Sequence, residues 1–211
     1  MPIILALLLN EIRVRWFKRV TQTLLYLPHF LSWVVIGATA YAMFATNSGV
    51  INTLIANAGK SPIPFLQEDA WWLFSYILIG IWQTMGWGTI IYLAAITNVN
   101  SELYEAAKVD GANRWQQCLH VTLPCIRSTI VVMLIMQLGK LMGGSFERIV
   151  ALSNAKATEY TTTIPVLVFK WFQGNKFSES TALGLFQSVI GVILVVASDK
   201  IAKKLGEDGL L

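Results

Sequence analysis

The polar side chains that could take part in chemistry are concentrated in one stretch, residues 105–124, which reads EAAKVDGANRWQQCLHVTLP. It contains one of the two cysteines of the chain, Cys118, and the other, Cys125, follows it directly. They are too far apart for a CxxC motif, and no His/Cys set lies near them at zinc spacing. We therefore expect two free thiols and no metal site. No paired carboxylates or nucleophile–base set occurs in the apolar segments, so no enzyme chemistry is expected.

One short motif, AGKS at residues 58–61, has the ending of a phosphate-binding loop. The first glycine of such a loop would fall at Leu54, and no strand–helix pair frames the sequence. We therefore expect this chain neither to bind nor to hydrolyse ATP, and to carry no cofactor of its own.

The composition is that of an integral membrane protein. Of the 211 residues, 55% are hydrophobic and only 13% are charged, against about 25% charged residues in a soluble domain. The net charge of +4 is too small to indicate a nucleic-acid partner without a clustered basic face. We therefore expect the chain to be embedded in membrane lipid.

Four charge-poor segments approach the roughly 20 residues that a helix needs to cross a bilayer. They cover about residues 28–46, 71–94, 124–142 and 181–199. A fifth apolar piece, Ile3–Leu9, is too short to cross and predicts the end of a helix whose beginning is missing. The expected fold is an all-α, polytopic membrane bundle of four full spans plus an N-terminal partial span, forming a single domain over residues 1–211.

Basic residues predict the orientation of these spans. One cluster precedes the first full span and the other follows the last: Arg13, Arg15, Lys18 and Arg19, then Lys200, Lys203 and Lys204. Because loops rich in Lys and Arg remain in the cytoplasm, the C-terminus and the loop at about 97–123 are expected there. The loops near 47–70 and 143–180 are then expected outside the cell.

The loop at 97–123 is expected to form two short helices lying across the cytoplasmic face. Ser101 suits the N-cap of the first helix, with Glu102 in its first turn. Gly111 permits a sharp turn or a close backbone approach, and residues 112–121 can form the second helix. Because Pro124 disfavours helical backbone at Leu123, a turn and a new membrane helix are expected there.

The order of residues in this loop closely resembles the EAA loop of binding-protein-dependent ABC importer permeases, the MetI-like transmembrane subunits. The resemblance rests on Glu-Ala-Ala, then three residues and Gly111, then Leu-Pro after a further eleven. It extends over nearly the whole chain, because residues 7–35, 184–205 and the closing GEDGLL resemble the oligosaccharide permease branch related to LplB. The stretch 153–180 resembles that branch only loosely.

This resemblance implies the fold, the partners and the energy source. Family members are bundles of about six membrane helices in the bacterial cell membrane, and their EAA loop sits in a cleft of a cytoplasmic ATPase subunit. The implied partners are a second permease subunit, an ABC ATPase dimer that binds the ATP, and an extracytoplasmic solute-binding protein. Members usually have one or two more N-terminal helices, so this chain is expected to be a fragment, a mis-started reading frame or a shortened subunit.

Two sets of residues are candidates for function. The resemblance assigns ATPase-subunit contact to the coupling residues Glu105, Ala106, Ala107, Asp110, Gly111, Leu123 and Pro124. Gly111 is expected to be the least replaceable of them. Polar or aromatic groups deep in the spans suit the hydroxyls and ring faces of a sugar; these are Trp82, Gln83, Gln137 and Gln187. The alternative reading of this second set is hydrogen bonding between helices.

The leading functional expectation is a permease subunit of an ABC sugar importer. The alternatives are a truncated membrane scaffold that does not transport, and a permease for a non-sugar solute. A secondary transporter or channel often has an acid within a span, and the three clearest spans here contain no Asp or Glu.

Overall fold

The computed structural model describes residues 1–153, 161–204 and 206. All regular elements within these residues are helical, which confirms the expected all-α class. In chain order they are α1 (Pro2–Glu11), α2 (Arg15–Tyr26), a 3₁₀ turn (Leu27–Phe30), α3 (Trp33–Phe44), α4 (Val50–Asn57), α5 (Asp69–Thr97), α6 (Ser101–Val109), α7 (Arg114–Gln117), a π-helical turn (Cys118–Thr122), α8 (Leu123–Cys125), α9 (Arg127–Gly139), α10 (Phe146–Leu152), α11 (Ile164–Gln173) and α12 (Phe177–Lys204).

Two of the described helices, α5 with 29 residues and α12 with 28, are long and apolar enough to cross a membrane. The number rises to four when each of two bent helix pairs is taken as one span. These pairs are Arg15–Phe30 with α3, and Arg114–Cys125 with α9. α5 contains the whole of the predicted span 71–94, and α12 contains the whole of 181–199.

The predicted first span, residues 28–46, is not one continuous helix. Pro28 lies in the 3₁₀ turn, and Ser32 then caps α3, its side chain accepting a hydrogen bond from the Val35 N–H at 3.4 Å. The chain bends by 102° between the two parts. With 12 residues, α3 is about 18 Å long, which is shorter than the roughly 30 Å hydrocarbon core.

The stretch 143–180, expected to be an outer loop, contains helices α10 and α11. Residues 154–160 lie outside the described residues, as does the closing GEDGLL apart from Gly206.

The chain divides into two compact units. Unit 1 comprises Met1–His29, Thr84–Gly139 and Ile193–Leu211, and unit 2 comprises Phe30–Gln83 and Lys140–Val192. The long helices α5 and α12 each contribute residues to both units.

Unit 1 has a core built from α1, the C-terminal part of α5 and the start of α9. Its buried members are Ala6, Tyr92, Leu93, Ile96 and Ile126. Leu123 and Val99, at the two ends of the 97–123 segment, pack against this cluster. The segment is therefore attached at both ends to one apolar core.

Unit 2 has a core in which α3, the N-terminal part of α5 and α10 meet. Ile36, Trp72 and Leu152 are buried there, and the Trp72 indole N–H donates to the Leu152 carbonyl oxygen at 2.7 Å. Gly37 allows α3 to touch α10, because a Cβ added at this glycine would lie 2.5 Å from the Ala151 carbonyl oxygen.

Candidate functional site

The first helix of the 97–123 segment begins one residue away from the predicted position. Asn100, not Ser101, is the N-cap of α6: its side-chain oxygen accepts a hydrogen bond from the Glu102 N–H at 3.0 Å. The Asn100 amide also donates to the Glu102 carboxylate at 3.1 Å. Glu102 lies in the first turn as predicted, where a negative charge is favourable for the helix dipole.

The turn after α6 requires a glycine. Gly111 has φ +77°, a left-handed backbone conformation that other L-residues adopt at a cost. Its N–H donates to the Lys108 carbonyl at 3.1 Å, and the Ala112 N–H donates to the Ala107 carbonyl at 2.9 Å. This pair of bonds is the Schellman pattern that closes a helix C-terminus. The predicted sharp turn is confirmed, and within this chain a Cβ at Gly111 would meet nothing within 4 Å.

The second helix starts immediately after this turn. Asn113 accepts a hydrogen bond from the Gln116 N–H at 2.9 Å, and the Gln116 side chain accepts one from the Asn113 N–H at 2.8 Å. This reciprocal capping box fixes the start of α7. The side chain of Gln117 closes the connection by donating to the Ala112 carbonyl at 2.8 Å.

The helix does not break at Leu123, contrary to the prediction. Leu123 has helical backbone, φ −63° and ψ −44°, and the break comes at Ile126, where the chain bends by 63° into α9. The reason is the π-helical turn Cys118–Thr122, in which the Leu123 N–H donates five residues back to Cys118. This wider turn accommodates Pro124, which would clash with the carbonyl four residues earlier in a regular α-helix.

Two side-chain interactions connect this segment to its surroundings within unit 1. The Tyr104 and Thr122 hydroxyls are hydrogen-bonded at 2.9 Å, which joins α6 to the π-helical turn. Arg114, at the start of α7, forms an ion pair with Glu11 at the C-terminal end of α1. The helix–turn–helix at 101–123 is therefore braced at several points.

Most of the predicted coupling residues are exposed. Glu105, Ala106, Asp110, Gly111 and Pro124 are exposed, and Ala107 is half-buried. Leu123 instead packs on the unit 1 core.

The same surface carries apolar side chains that the motif does not include. Val109 is 88% exposed, Trp115 69% and Leu103 47%. Their presence in an otherwise polar segment was the available sequence signal, because large exposed apolar groups mark interaction surfaces.

The four predicted path residues differ in exposure and are divided between the two units. Gln83 is buried, with 6% of its surface exposed, whereas its neighbour Trp82 is 43% exposed. In unit 2 the Gln187 amide packs on Gly143, where an added Cβ would lie 2.7 Å from the amide nitrogen. Gln137 is exposed and belongs to unit 1.

The two thiols differ in their surroundings. Cys125 is exposed and Cys118 is half-buried. Burial, with a smaller contribution from the Glu11 carboxylate, raises the pKa of the Cys118 thiol. Among the described residues no group of three or more His, Cys, Asp or Glu side chains could hold a metal ion.

Sequence relatives of this chain are transport permeases. It is 46% identical over 210 residues to the polygalacturonan/rhamnogalacturonan transport system permease protein YteP of Bacillus subtilis (strain 168), covering 99% of this chain and 65% of that protein. It is 41% identical over 210 residues to protein LplB of the same organism, covering 99% and 66%. The chain thus spans about two thirds of the length of these relatives.

Among solved structures, the fold matches a subunit of a bacterial alginate ABC transporter crystallised with its alginate pentasaccharide-bound periplasmic protein. The TM-score is 0.95 at 34% identity, covering 99% of this chain and 73% of that one. The helical arrangement is therefore that of an ABC importer permease. The binding-protein-dependent transport system inner membrane component family matches residues 1–205. The chain belongs to this family of membrane transport components.

Proposed function

We propose that this chain is a transmembrane permease subunit of an ATP-driven ABC importer for oligosaccharides or other carbohydrates. The observation that carries the proposal is the braced helix–turn–helix at 101–123, which exposes Glu105, Ala106 and Gly111 to solvent. The partners are a second permease subunit, an ABC ATPase dimer that binds and hydrolyses the ATP, and an extracytoplasmic solute-binding protein.

The chemistry of the segment suits docking on a protein surface. Val109 and Trp115 supply exposed apolar area beside the acidic groups of Glu105 and Asp110. Apolar anchors favour burial in a groove of the ATPase, and the carboxylates can pair with its Arg or Lys side chains.

Movement of the ATPase can be transmitted because the segment is stiff and continuous with the membrane helices. α7, the π-helical turn and α8 lead through the bend at Ile126 into α9, and Asn100 links α6 to the end of α5. The Tyr104–Thr122 hydrogen bond connects the two arms, so a push on one arm reaches both α5 and α9.

The carbohydrate assignment is supported by what the relatives are named for. YteP is a polygalacturonan/rhamnogalacturonan permease, AraP of Bacillus subtilis (27% identical) is an arabinooligosaccharide permease, and a matching structure is described as importing the acidic polysaccharide alginate. Gln83, Gln187 and the exposed Trp82 remain our candidates for the sugar path, together with Gln137.

The proposed location is the bacterial cell membrane, with the coupling segment and the C-terminus in the cytoplasm. This orientation follows from the basic residues that precede the first span and follow the last.

The test is reconstitution of the chain with its genomically neighbouring permease, ATPase and solute-binding protein in proteoliposomes. We expect ATP-dependent uptake of a labelled oligosaccharide, and an increase in ATP hydrolysis when the loaded binding protein is added. A chain that never co-purifies with an ATPase subunit, or a complex that hydrolyses ATP without uptake of any sugar, would contradict the proposal.

A further inference from the structure

Arg148 on α10 is a positively charged side chain held among aromatic rings in unit 2. Its guanidinium carbon lies 3.9 Å from the centre of the Tyr76 ring and 5.8 Å from that of Trp33. Nη2 donates to the Tyr76 hydroxyl at 2.5 Å and to the Ser145 hydroxyl at 3.3 Å. All these partners are neutral groups.

Among the residues that the structure describes, no acidic side chain forms an ion pair with Arg148. Ion pairs elsewhere in the described part of the chain include Arg114 with Glu11 and Lys203 with Asp199. The adjacent Glu147 is exposed, and neighbouring residues on a helix do not face each other. The Nε–H of Arg148 is buried without a hydrogen-bond partner. A guanidinium can donate five hydrogen bonds in a planar fork, so this one retains unused donors.

The guanidinium of Arg148 lies beside Tyr76 and Gly80 of α5, at a depth where an unpaired charge is costly. Tyr76 and Gly80 lie 7 and 11 residues after the start of α5 at Asp69, which is about 10–16 Å along a helix of about 43 Å. Arg148 itself lies on the short helix α10, beside this part of α5. A charged group at such depth in a membrane is expensive and marks a ligand pathway. On the predicted orientation, this site lies in the outer half of the span.

Gly80 leaves the space that the guanidinium occupies. A Cβ built on Gly80 would lie 2.0 Å from Nη1 of Arg148. A larger residue at position 80 would displace the guanidinium, so the present position of Arg148 depends on Gly80.

We propose that Arg148 binds the carboxylate of an anionic sugar, with Tyr76 and Trp33 positioned for its ring face, while an acidic oligosaccharide passes through the permease. The proposal rests on the proposed import function. A carboxylate matches a guanidinium in charge and in planar geometry, and it would supply the negative charge that the described surroundings lack. Aromatic rings beside the cation suit the apolar face of a pyranose.

The test uses uptake of two matched sugars by the complete reconstituted transporter. Trigalacturonate carries carboxylates, and its methyl ester is neutral with the same ring skeleton. The variants are Arg148→Gln, Arg148→Lys and, as a control, Lys170→Gln, which removes an exposed positive charge from the same unit. The solute-binding protein is unchanged throughout, so a change in the ratio of the two uptake rates arises in the permease.

We expect Arg148→Gln to lower the uptake of trigalacturonate about 10- to 100-fold, as for loss of a charge-assisted hydrogen bond. Uptake of the ester should change less than about twofold, and Lys170→Gln should affect neither sugar. If Arg148→Gln does not assemble, Arg148→Lys provides the test. Lysine keeps the positive charge but lacks the planar, two-pronged donor geometry of the guanidinium, so the ratio of trigalacturonate uptake to ester uptake should still fall.

Equal losses for both sugars would overturn the proposal and make Arg148 a purely structural residue, as would an unchanged ratio in all variants. A wild-type complex that takes up neither sugar nor any other oligosaccharide would overturn the proposed function, and this proposal with it.

Discussion

Two glycines in this chain end helices in the same way, and together they allow a controlled test of the coupling turn. Gly111 follows α6 with φ +77°, and Gly59 follows α4 with φ +74°. At Gly59 the two Schellman hydrogen bonds recur: its N–H donates to Ala56 at 2.9 Å, and the Lys60 N–H donates to Ile55 at 3.1 Å. Only Gly111 lies in the proposed docking segment.

The cost of substituting either glycine by alanine is set by the backbone alone. A Cβ added at Gly59 or at Gly111 meets nothing within 4 Å, so no clash contributes. Left-handed backbone costs an L-residue about 1–2 kcal/mol. If alanine lets the free turn relax to another conformation and the ATPase binds only the present one, binding must restore the strained turn. Gly111→Ala should then raise the Kd for the ATPase subunit about 5- to 30-fold.

The assay is titration of the labelled ATPase subunit onto the permease in nanodiscs, with thermal unfolding of each variant measured in parallel. We expect Gly59→Ala to lower stability as much as Gly111→Ala does, while leaving the Kd unchanged. Gly111→Asn should lie between wild type and Gly111→Ala, because Asn tolerates left-handed backbone better.

Two results would refute this reasoning. If Gly59→Ala weakened ATPase binding as much as Gly111→Ala, the effect would come from general destabilisation. If Gly111→Ala bound the ATPase like wild type, the turn would not be part of the docking surface.

Three further predictions concern packing, bracing and orientation. Gly37→Ala should destabilise unit 2 by about 1–3 kcal/mol in thermal unfolding, because the added methyl lies 2.5 Å from a backbone oxygen of α10. Gly184→Ala is the control, since its Cβ meets nothing within 4 Å and its stability should not fall. Tyr104→Phe should lower the free energy of unfolding by about 0.5–1.5 kcal/mol, because the hydrogen bond to Thr122 is lost, and hydrogen exchange across α6 should become faster. Adding Thr122→Val to this variant should lower the stability little further. If the two substitutions were fully additive, the bond would not form. An impermeant maleimide should label the exposed Cys125 of a Cys118→Ser chain only from the cytoplasmic side. In a Cys125→Ser chain, Cys118 should react more slowly at neutral pH, because its raised pKa keeps the thiol protonated. Its labelling rate should increase as the pH rises. Labelling of Cys125 from outside would contradict the orientation.

Local features of the coupling segment were readable from the sequence because they depend on neighbouring residues. The turn at Gly111 follows from the conformational freedom of glycine, and the capping of α6 was displaced by only one position, to Asn100. The long spans α5 and α12 follow from uninterrupted apolar composition.

Features that depend on competition between local preferences were not predicted. Pro124 alone indicates a helix break at Leu123, yet the π-helical turn before it carries the helix on to Cys125. Similarly, the apolar run 28–46 does not reveal that Pro28 and Ser32 divide it between two directions.

Features that depend on distant contacts were beyond sequence reasoning. Trp82 and Gln83 are adjacent in the chain, but Trp82 is 43% exposed and Gln83 is buried, so depth in a span did not predict which face each residue occupies. Arg148 meets Tyr76, 72 positions away in the chain, and no periodicity reports such a pair.

The π-helical turn Cys118–Thr122 has a consequence for the angular register between α7 and α9. A π turn holds one residue more than an α turn, and each residue of a helix rotates the following side chains by about 100°. Deleting one residue within 118–122 would restore regular winding, and Arg114 and Trp115 would then point about a quarter turn away from their present direction relative to α9. The turn therefore sets the direction in which the coupling segment faces relative to the span that follows it.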